Sequence, residues 1–287
     1  MKFNKLNELE LQRKYWDIYR ENVRSRWNKQ AVDTMMNEGK AWHREGNRNL
    51  HDDIKRNIDD LQREIQAHPY SPEEEQFANA FMGKKFFIVH ASSNDLNDNS
   101  KRELLICSHR YLEKKGTGFF KNNTTIDDVR ELANDDYVFF SLEVGGELQK
   151  KRSRFGNKFY RIPYTKENVS LRHSSMALVD QILLTAPDSR MIKGLTNGAN
   201  VHLDHRRFIN HRIIFSGIDN CLTGLLYSII LTVRKFNITL QRDRETILYA
   251  RSDKEISDVI NGLFRPEIRV PRMFSASVGE YKKILKK

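Results

Sequence analysis

A carboxylate placed directly after a proline is the first feature of this chain that could do chemistry. The stretch FRPEIRVPRM, at positions 264–273, holds two of the six prolines and sets Glu267 among three arginines. Proline is tolerated at the first position or on the edge of a strand, so the stretch predicts a short strand over 267–271. A rigid strand end suits a catalytic carboxylate. From these residues alone a solvated glutamate on an edge strand is favoured, since most charged residues are exposed.

Polar and aromatic side chains in two other apolar runs are further candidates. His90 ends the run KKFFIV and precedes Ser92 and Ser93, and these side chains could bind a ribose through hydrogen bonds. A strand-end histidine bound by a neighbouring residue is the commoner case. In DDYVFFSLEVGG, Phe139 and Phe140 face opposite ways in a strand. One of them should enter the core, and the other could stack on an aromatic ring unless both are buried.

Two acidic residues stand in apolar surroundings. Glu143 falls on the same strand face as Ser141 and Phe139, which suggests that this face is wet or functional. Asp180 interrupts MALVDQILL, part of an apolar run that predicts a helix over 174–185. A carboxylate there must cap a helix end, pair with a cation or serve a function. A polar stripe on an amphipathic helix is the common alternative explanation for Asp180.

The familiar catalytic and phosphate-binding motifs are missing. VHLDH, at 201–205, lacks the i, i+4 histidine pair with a glutamate that marks zinc proteases, and the chain has no CxxC, so we expect no metal site. It has no GxSxG, P-loop or GxGxxG spacing. Basic residues beside aromatics, as in KKFF, are compatible with nucleic-acid binding, although no recognition pattern accompanies them.

The composition indicates a globular protein that acts in a cytosol. The 287 residues carry a net charge of +11, with only 14 glycines and two cysteines. So few cysteines suit a reducing compartment. No apolar h-region begins the chain, and its longest apolar run, at 225–233, is too short to span a bilayer. The positive charge favours nucleic acid, anionic lipid, an anionic cofactor or an acidic protein as the partner.

The chain changes character near residues 70–75. Positions 5–67 have the apolar spacing of amphipathic helices. The segment HPYSPEEE then breaks the pattern, with Ser71 as the cap of a helix that Pro72 begins. We therefore predict an N-terminal helical region over 1–74.

The remaining residues, 75–287, predict a mixed domain of strands and helices. Strands are expected at 84–93, 135–146, 157–164 and 267–271, and helices at 174–185, 216–236 and 254–264. The fold class predicted for the whole chain is α+β.

Five blocks in this order resemble a known family. They are VHASSNDLNDN, DDVRELANDDYVFFSLEV, RFGNKFYRI, MALVDQI and FRPEIRVPRMFS, which together span about residues 85–277. They resemble the OspC/CopC family of bacterial type III effectors, the arginine ADP-riboxanases, and the last block is the most specific match. The resemblance implies a split-sheet, ADP-ribosyltransferase-like fold that binds NAD in a cleft.

The same resemblance implies an activity and a place of action. The family joins ADP-ribose from NAD to an arginine of a host protein, caspases among them, and the product cyclises with loss of ammonia. Calmodulin is a host activator of the family. The chain would accordingly be secreted by bacteria and act in the host cytosol. Three alternatives stay open: plain mono-ADP-ribosylation, a non-catalytic module that binds calmodulin or another host factor, and a nucleic-acid-binding protein.

The resemblance also assigns roles to particular residues. Glu267 matches the catalytic glutamate, which would hold a ribose hydroxyl and stabilise an oxocarbenium-like transition state. Asp180 matches an acid that deprotonates the incoming arginine. Glu143 matches a further acidic position of the catalytic set. The NAD-binding set comprises His90, Ser92, Ser93, Phe139 or Phe140, and Asp128.

The chain departs from the family pattern in one respect. Family members continue into C-terminal ankyrin repeats that help to recruit substrate, and no repeat of ankyrin length occurs in these 287 residues. This argues against a caspase target. The helices predicted over 5–67 could recruit substrate instead, bind calmodulin through a basic amphipathic face that includes Trp16 and Trp27, or simply pack on the catalytic domain.

Overall fold

The computed structural model of the chain describes residues 50–98, 103–116, 137–150, 153–172, 174–178, 192, 195, 214–235 and 241–286. The helices predicted before residue 50 lie outside these ranges. The described helices are α1 (Leu50–Ala67), α2 (Pro72–Met82), α3 (His109–Lys114), α4 (Ile218–Lys235), α5 (Gln241–Leu248) and α6 (Asp253–Leu263). None of them combines the length and apolar character that a membrane crossing requires.

The described residues also form ten strands. They are β1 (Phe86–Ser92), β2 (Asn97–Asp98), β3 (Glu103–Cys107), β4 (Tyr137–Val144), β5 (Lys158–Pro163), β6 (Ser175–Ala177), β7 (Ile214–Ser216), β8 (Glu267–Pro271), β9 (Met273–Ser277) and β10 (Lys282–Leu285). The mixture of helices with antiparallel strands confirms the predicted α+β class.

The break between α1 and α2 forms as the sequence predicts. The Ser71 hydroxyl accepts a hydrogen bond from the backbone of Glu74, and the Glu74 carboxylate accepts one from the backbone of Ser71 at 3.0 Å. This capping box satisfies two backbone donors that a helix start leaves open. Helix α1 packs against α4 and β7, where the Asn57 side chain donates to the carbonyl of Ile214 at 2.7 Å.

Seven strands form one sheet in the order β10-β5-β1-β4-β8-β6-β7. All of its pairings are antiparallel. Strand β8 lies inside this sheet, because it pairs with β4 through Ser141 and Glu267 and with β6 through Ala177 and Glu267. The start of β8 is therefore held from both sides.

The two faces of the large sheet differ. One face carries Ile88, Phe140, Leu142 and Ile268, which belong to the main hydrophobic core. The opposite face, called here the polar face, carries Phe87, Phe139, Ser141, Glu143, Arg161, Glu267 and Arg269. Alternation along the strands separates these two sets.

A smaller sheet of β2, β3 and β9 packs beside the core face. The ring of Phe274 in β9 meets the ring of Phe140 edge-on, with centroids 5.1 Å apart. Strands β8 and β9 follow each other but belong to different sheets, and Arg272 makes the change of direction with φ of 57°. Arg265, just before β8, has φ of 64°. Within the described ranges, these arginines are the non-glycine residues with positive φ, a conformation that L residues rarely adopt.

Most of the predicted elements are confirmed where the structure describes them. The expected strands correspond to β1, β4, β5 and β8, and two of the expected helices correspond to α4 and α6. The helix predicted over 174–185 is wrong at its start, because Ser175–Ala177 form β6. These residues pair with both β7 and β8, and such pairing overrides the helical apolar pattern. The predicted division into 1–74 and 75–287 stays a prediction.

Candidate active site on the polar face

Glu267 occupies the first position of β8, and its side chain is 29% exposed. The guanidinium of Arg269 donates two hydrogen bonds to Oε2 of this carboxylate, from Nε at 3.1 Å and from Nη2 at 2.8 Å. Residues two apart on a strand share a face, so the pair forms within the strand itself. The arrangement fixes the direction of a carboxylate that solvent can reach.

Arg269 is almost completely buried, with 4% of its surface exposed. It lies opposite Phe139 in the pairing of β4 with β8, and its guanidinium carbon is 5.5 Å from the centre of that ring. Phe139 itself is only partly buried. The polar face thus sets a partly exposed aromatic ring, a buried arginine and a carboxylate side by side.

Phe139 and Phe140 face opposite ways, as expected for adjacent strand residues. Phe140 is 2% exposed, and its ring meets that of His90 edge-on with centroids 5.6 Å apart. Phe140 is therefore a core residue, and Phe139 is the one available for stacking.

His90 lies on the core face, across the sheet from Glu267. Its Nδ1 is 2.9 Å from the carbonyl oxygen of Phe139. A carbonyl can only accept, so Nδ1 carries the hydrogen and Nε2 is left as an acceptor. Burial lowers the pKa of His90, with a smaller contribution from the charge of Lys150, and the bond to Phe139 opposes this only in part. The imidazole is accordingly neutral near pH 7.

The two serines after His90 are held in a tight turn. The Ser92 hydroxyl accepts from the backbone of Asn94 at 3.0 Å, and the carbonyl of Ser93 accepts from the ammonium of Lys158 at 2.5 Å. Gly156 approaches this turn so closely that a Cβ there would lie 2.1 Å from the nitrogen of Ser93. Gly156 thereby packs the loop before β5 against the end of β1.

Glu143 is on the polar face but is only 4% exposed. Its Oε1 accepts from the backbone nitrogen of Lys150 at 2.9 Å, and its Oε2 accepts from that of Gln149 at 3.3 Å. Oε2 also lies 3.6 Å from Nε of Arg161. This carboxylate binds the protein's own backbone, in contrast to the part-exposed carboxylate of Glu267.

The remaining sequence-predicted site residues, Asp180 and Asp128, lie outside the described residues. Of the others, the structure brings Glu267, Phe139 and Glu143 to one face, and places His90 and Ser92 on the opposite face at the end of β1. Over the part of the chain that the structure describes, no group of three or more His, Cys, Asp or Glu side chains is arranged to hold a metal ion.

The sequence reasoning gave no role to three basic residues near Glu267 and Glu143. Arg269 could have been found, because its spacing from Glu267 puts both on one strand face. Arg161 alternates with the apolar residues of β5 and gave a weaker signal of the same kind. Lys150 stands in a loop, and no pattern in the sequence marks it.

No protein-family model matches the chain. A search of curated proteins found the arginine ADP-riboxanase OspC1 of Shigella flexneri, 25% identical over 232 residues, in a match that covers 76% of this chain and 47% of the relative. The chain is a distant relative of the OspC family. It spans about half the length of this OspC protein.

Proposed function

We propose that the chain is an enzyme that uses NAD to modify an arginine of a host protein by ADP-riboxanation. The observation that carries this proposal is the part-exposed carboxylate of Glu267, oriented by the buried Arg269 beside the ring of Phe139. The distant relationship to an arginine ADP-riboxanase supports the same chemistry.

Glu267 has the central role in this proposal. Its carboxylate accepts a hydrogen bond from a ribose hydroxyl and stabilises the positive charge that develops as the glycosidic bond to nicotinamide breaks. A fixed carboxylate does this better than a mobile one, because no reorganisation is needed as the charge appears. The two hydrogen bonds from Arg269 supply that fixation.

Phe139 fits NAD as a co-substrate. Its partly exposed ring offers a stacking surface for the nicotinamide on the face that carries Glu267. His90 is neutral with Nε2 as acceptor, which suits a hydrogen bond from a ribose hydroxyl. We assign His90, Ser92 and Ser93 to a ribose of NAD on the family relationship alone, because His90 and Ser92 lie on the core face while Glu267 and Phe139 lie on the polar face.

The substrate arginine needs a base, because its guanidinium is always protonated near neutral pH. We assign this role to Asp180. It accepts a guanidinium proton while the nitrogen forms a bond to the ribose carbon that nicotinamide leaves. A ribose hydroxyl then adds to the guanidinium carbon, and ammonia departs as the ring closes. Asp128 is assigned to the NAD-binding set.

The wider context of the proposal rests on the family relationship. The two sheets joined at Arg272 support an ADP-ribosyltransferase-like split-sheet fold. We further propose that the protein is delivered by bacterial type III secretion, acts in the host cytosol and is activated by calmodulin. The host target is a protein arginine, and a caspase is one candidate.

The test uses the full chain with NAD and a host-cell lysate, with and without calmodulin. Nicotinamide release is followed, and adducts are identified by intact-mass and peptide mass spectrometry. Wild type runs beside Glu267→Ala and beside Glu75→Ala, a change of the same kind at an exposed position of α2. We expect an arginine adduct of ADP-ribose less ammonia with wild type and Glu75→Ala, and none with Glu267→Ala.

The other possible results of this experiment indicate different functions. An adduct with the full mass of ADP-ribose indicates a mono-ADP-ribosyltransferase that does not cyclise its product. No adduct and no nicotinamide release under any condition indicates a non-catalytic module that binds a host factor. An adduct that survives Glu267→Ala removes Glu267 from the catalytic role.

A further inference from the structure

The polar face is buried over one part of the sheet and open over another. On β1 and β5, three of its residues form a small buried apolar cluster, against which two residues of the loop between β4 and β5 pack. These residues are Val89, Ala91, Phe159, Leu148 and Phe155. On β4, β8 and β6, the partly exposed side chains of this face belong to Phe139, Ser141, Ser175 and Glu267. A ligand that reaches Glu267 across this face therefore meets these four side chains.

Ser141 stands directly beside Glu267 in the sheet. The two residues are opposite each other in the pairing of β4 with β8, and Ala177 is opposite Glu267 on the other side, in β6. Side chains directly opposite each other on antiparallel strands share a face, with Cβ atoms about 4.5–5.5 Å apart. Ala177 is completely buried and has no polar group. Of the two residues that flank Glu267 across the strands, Ser141 is thus the one that can form a hydrogen bond to a ligand.

The hydroxyl of Ser141 is arranged to accept a hydrogen bond from a ligand. Its Oγ donates to the carbonyl of Val89, the residue opposite it on β1, at 3.3 Å. A hydroxyl has one hydrogen to donate and two lone pairs that accept. With its hydrogen directed to Val89, Ser141 offers lone pairs on the face that carries the acceptor-only carboxylate of Glu267.

The backbone around Ser141 is fixed from both sides. Strand β4 lies between β1 and β8, and Ser141 has a paired residue on each of them. A binding group on a central strand is held more precisely than one on a loop. The bond to Val89 is longer than the usual distance of about 2.5–3.0 Å between hydroxyl and acceptor oxygens, so it contributes little to the fold. A ligand contact explains a partly exposed serine at this position better than stability does.

We propose that Ser141 is a substrate-binding residue that accepts a hydrogen bond from the ribose next to nicotinamide. The proposal rests on the proposed function, in which Glu267 accepts from one hydroxyl of that ribose. A ribose carries two adjacent hydroxyls, and each has one hydrogen to donate. Two acceptors on neighbouring strands match such a pair, so Glu267 receives one hydroxyl and Ser141 the other. Ser141 thereby fixes the orientation of the sugar whose bond to nicotinamide breaks.

The test compares Ser141→Ala with wild type for NAD and for two NAD analogues. One analogue lacks the 2′-hydroxyl of the nicotinamide ribose, and the other lacks the 3′-hydroxyl. Affinities are measured by calorimetry on the full chain, and nicotinamide release is followed in the same samples. The matched control is Ser277→Ala, the same change at an exposed position of β9 in the smaller sheet. Ser141→Cys is a second variant, because it keeps a side chain of similar shape and replaces the oxygen by a weak acceptor.

We expect Ser141→Ala and Ser141→Cys to weaken the affinity for NAD about fivefold, the usual effect of losing one hydrogen bond. Wild type should bind both analogues more weakly than NAD. The two Ser141 variants should bind NAD no better than one of the analogues, because the hydrogen bond is already lost when either of its partners is removed. They should still prefer NAD over the other analogue, and Ser277→Ala should match wild type throughout.

Two results overturn the assignment of Ser141. One is an affinity for NAD in both Ser141 variants equal to that of wild type, even where formation of the arginine adduct falls, since Ser141 would then act on the arginine. The other is a weaker affinity with the wild-type preference for NAD over both analogues intact, because that loss is structural and does not involve a ribose hydroxyl.

Titration with ADP-ribose separates failure of this site from failure of the proposed function. Wild type that binds ADP-ribose more tightly than Ser141→Ala does, but releases no nicotinamide from NAD, contradicts the proposed function and retains a ribose site. Wild type that releases nicotinamide and binds NAD no more tightly than Ser141→Ala does retains the function and removes the site. Binding of neither NAD nor ADP-ribose contradicts both.

Discussion

Arg269 places two nitrogens on a single carboxylate oxygen of Glu267, and the two residues share one face of β8. The arginine is buried and contacts the ring of Phe139, so it cannot move without disturbing the sheet. Orientation of this carboxylate is thus built into the strand.

Replacing Arg269 by lysine should lower kcat for nicotinamide release about tenfold, or ~1.4 kcal/mol, with the affinity for NAD nearly unchanged. Lysine keeps the charge but has one ammonium in place of the two nitrogens that bind Oε2. Steady-state release of nicotinamide measures kcat, and calorimetry measures binding. Arg172→Lys, at an exposed position, is the control. A variant with wild-type kcat would show that Arg269 does not orient the carboxylate.

Gly156→Ala should lower the free energy of unfolding by about 3 kcal/mol or more. Its φ is 136°, and the added Cβ would lie 2.1 Å from the nitrogen of Ser93 and 2.2 Å from the carbonyl carbon of Ser92. Urea denaturation measures the change. Gly116→Ala is the comparison, since its φ is 63° with nothing within 4 Å, and it should cost only about 1 kcal/mol. An equal loss of unfolding free energy in the two variants would show that position 156 has room for a Cβ.

The contribution of Glu74 to stability should disappear in acid. Burial by itself would raise the pKa of Glu74, but hydrogen bonds from Arg234 and from the backbone of Ser71, with the charges of Arg234 and Arg244, outweigh burial and lower it. A carboxyl whose pKa is lower in the folded state stabilises the fold above its unfolded pKa of about 4.3, and this is lost as pH falls through the folded pKa.

The measurement for Glu74 is the free energy of unfolding of wild type and Glu74→Gln from pH 3 to pH 7. We expect the difference between them to be largest above about pH 5 and to shrink in more acidic solution. Glu75→Gln, at an exposed neighbouring position, should give a small difference at every pH. A difference for Glu74→Gln that is constant with pH would contradict an ionic role.

Arg265→Gly should make the protein more stable. Relief of the left-handed backbone gains about 1–2 kcal/mol, and the greater freedom of glycine in the unfolded chain costs about 0.4–1 kcal/mol, so a net gain of about 0.5 kcal/mol is expected. Urea denaturation measures the change. A lower free energy of unfolding in Arg265→Gly than in wild type would contradict backbone strain at this residue.

The parts of the fold predicted from sequence are those with local signals. The prolines of FRPEIRVPRM define β8, and the serine and glutamate of the capping box begin α2. Strand β6 was not predictable, because its residues belong to an apolar run of helical spacing and become a strand only through pairing with β8 and β7. Such pairing depends on residues far along the chain.

The candidate site likewise has features that the sequence predicts and features that it does not. Period-two alternation places Phe139 and Glu143 on one face, and this much follows from the strand itself. The charged partner of Glu143 does not follow from the strand itself. Arg161 belongs to β5, and β1 lies between β5 and β4 in the sheet. Sequence alone therefore shows an unusual glutamate without showing that its carboxylate is enclosed by Arg161 and by the backbone of Gln149 and Lys150. The roles of Asp180 and Asp128 remain predictions.

The position of β8 between β4 and β6 has a consequence for folding kinetics. Ser141 and Ala177 both pair with Glu267, which is synthesised long after them. The sheet around the candidate site therefore cannot be complete until β8 has been made. Pairings between such distant residues form slowly, because a long loop must be ordered before any contact stabilises it. The polar face is thus among the last surfaces to form, and a partly folded chain holds Phe139, Glu143 and Glu267 without their common arrangement.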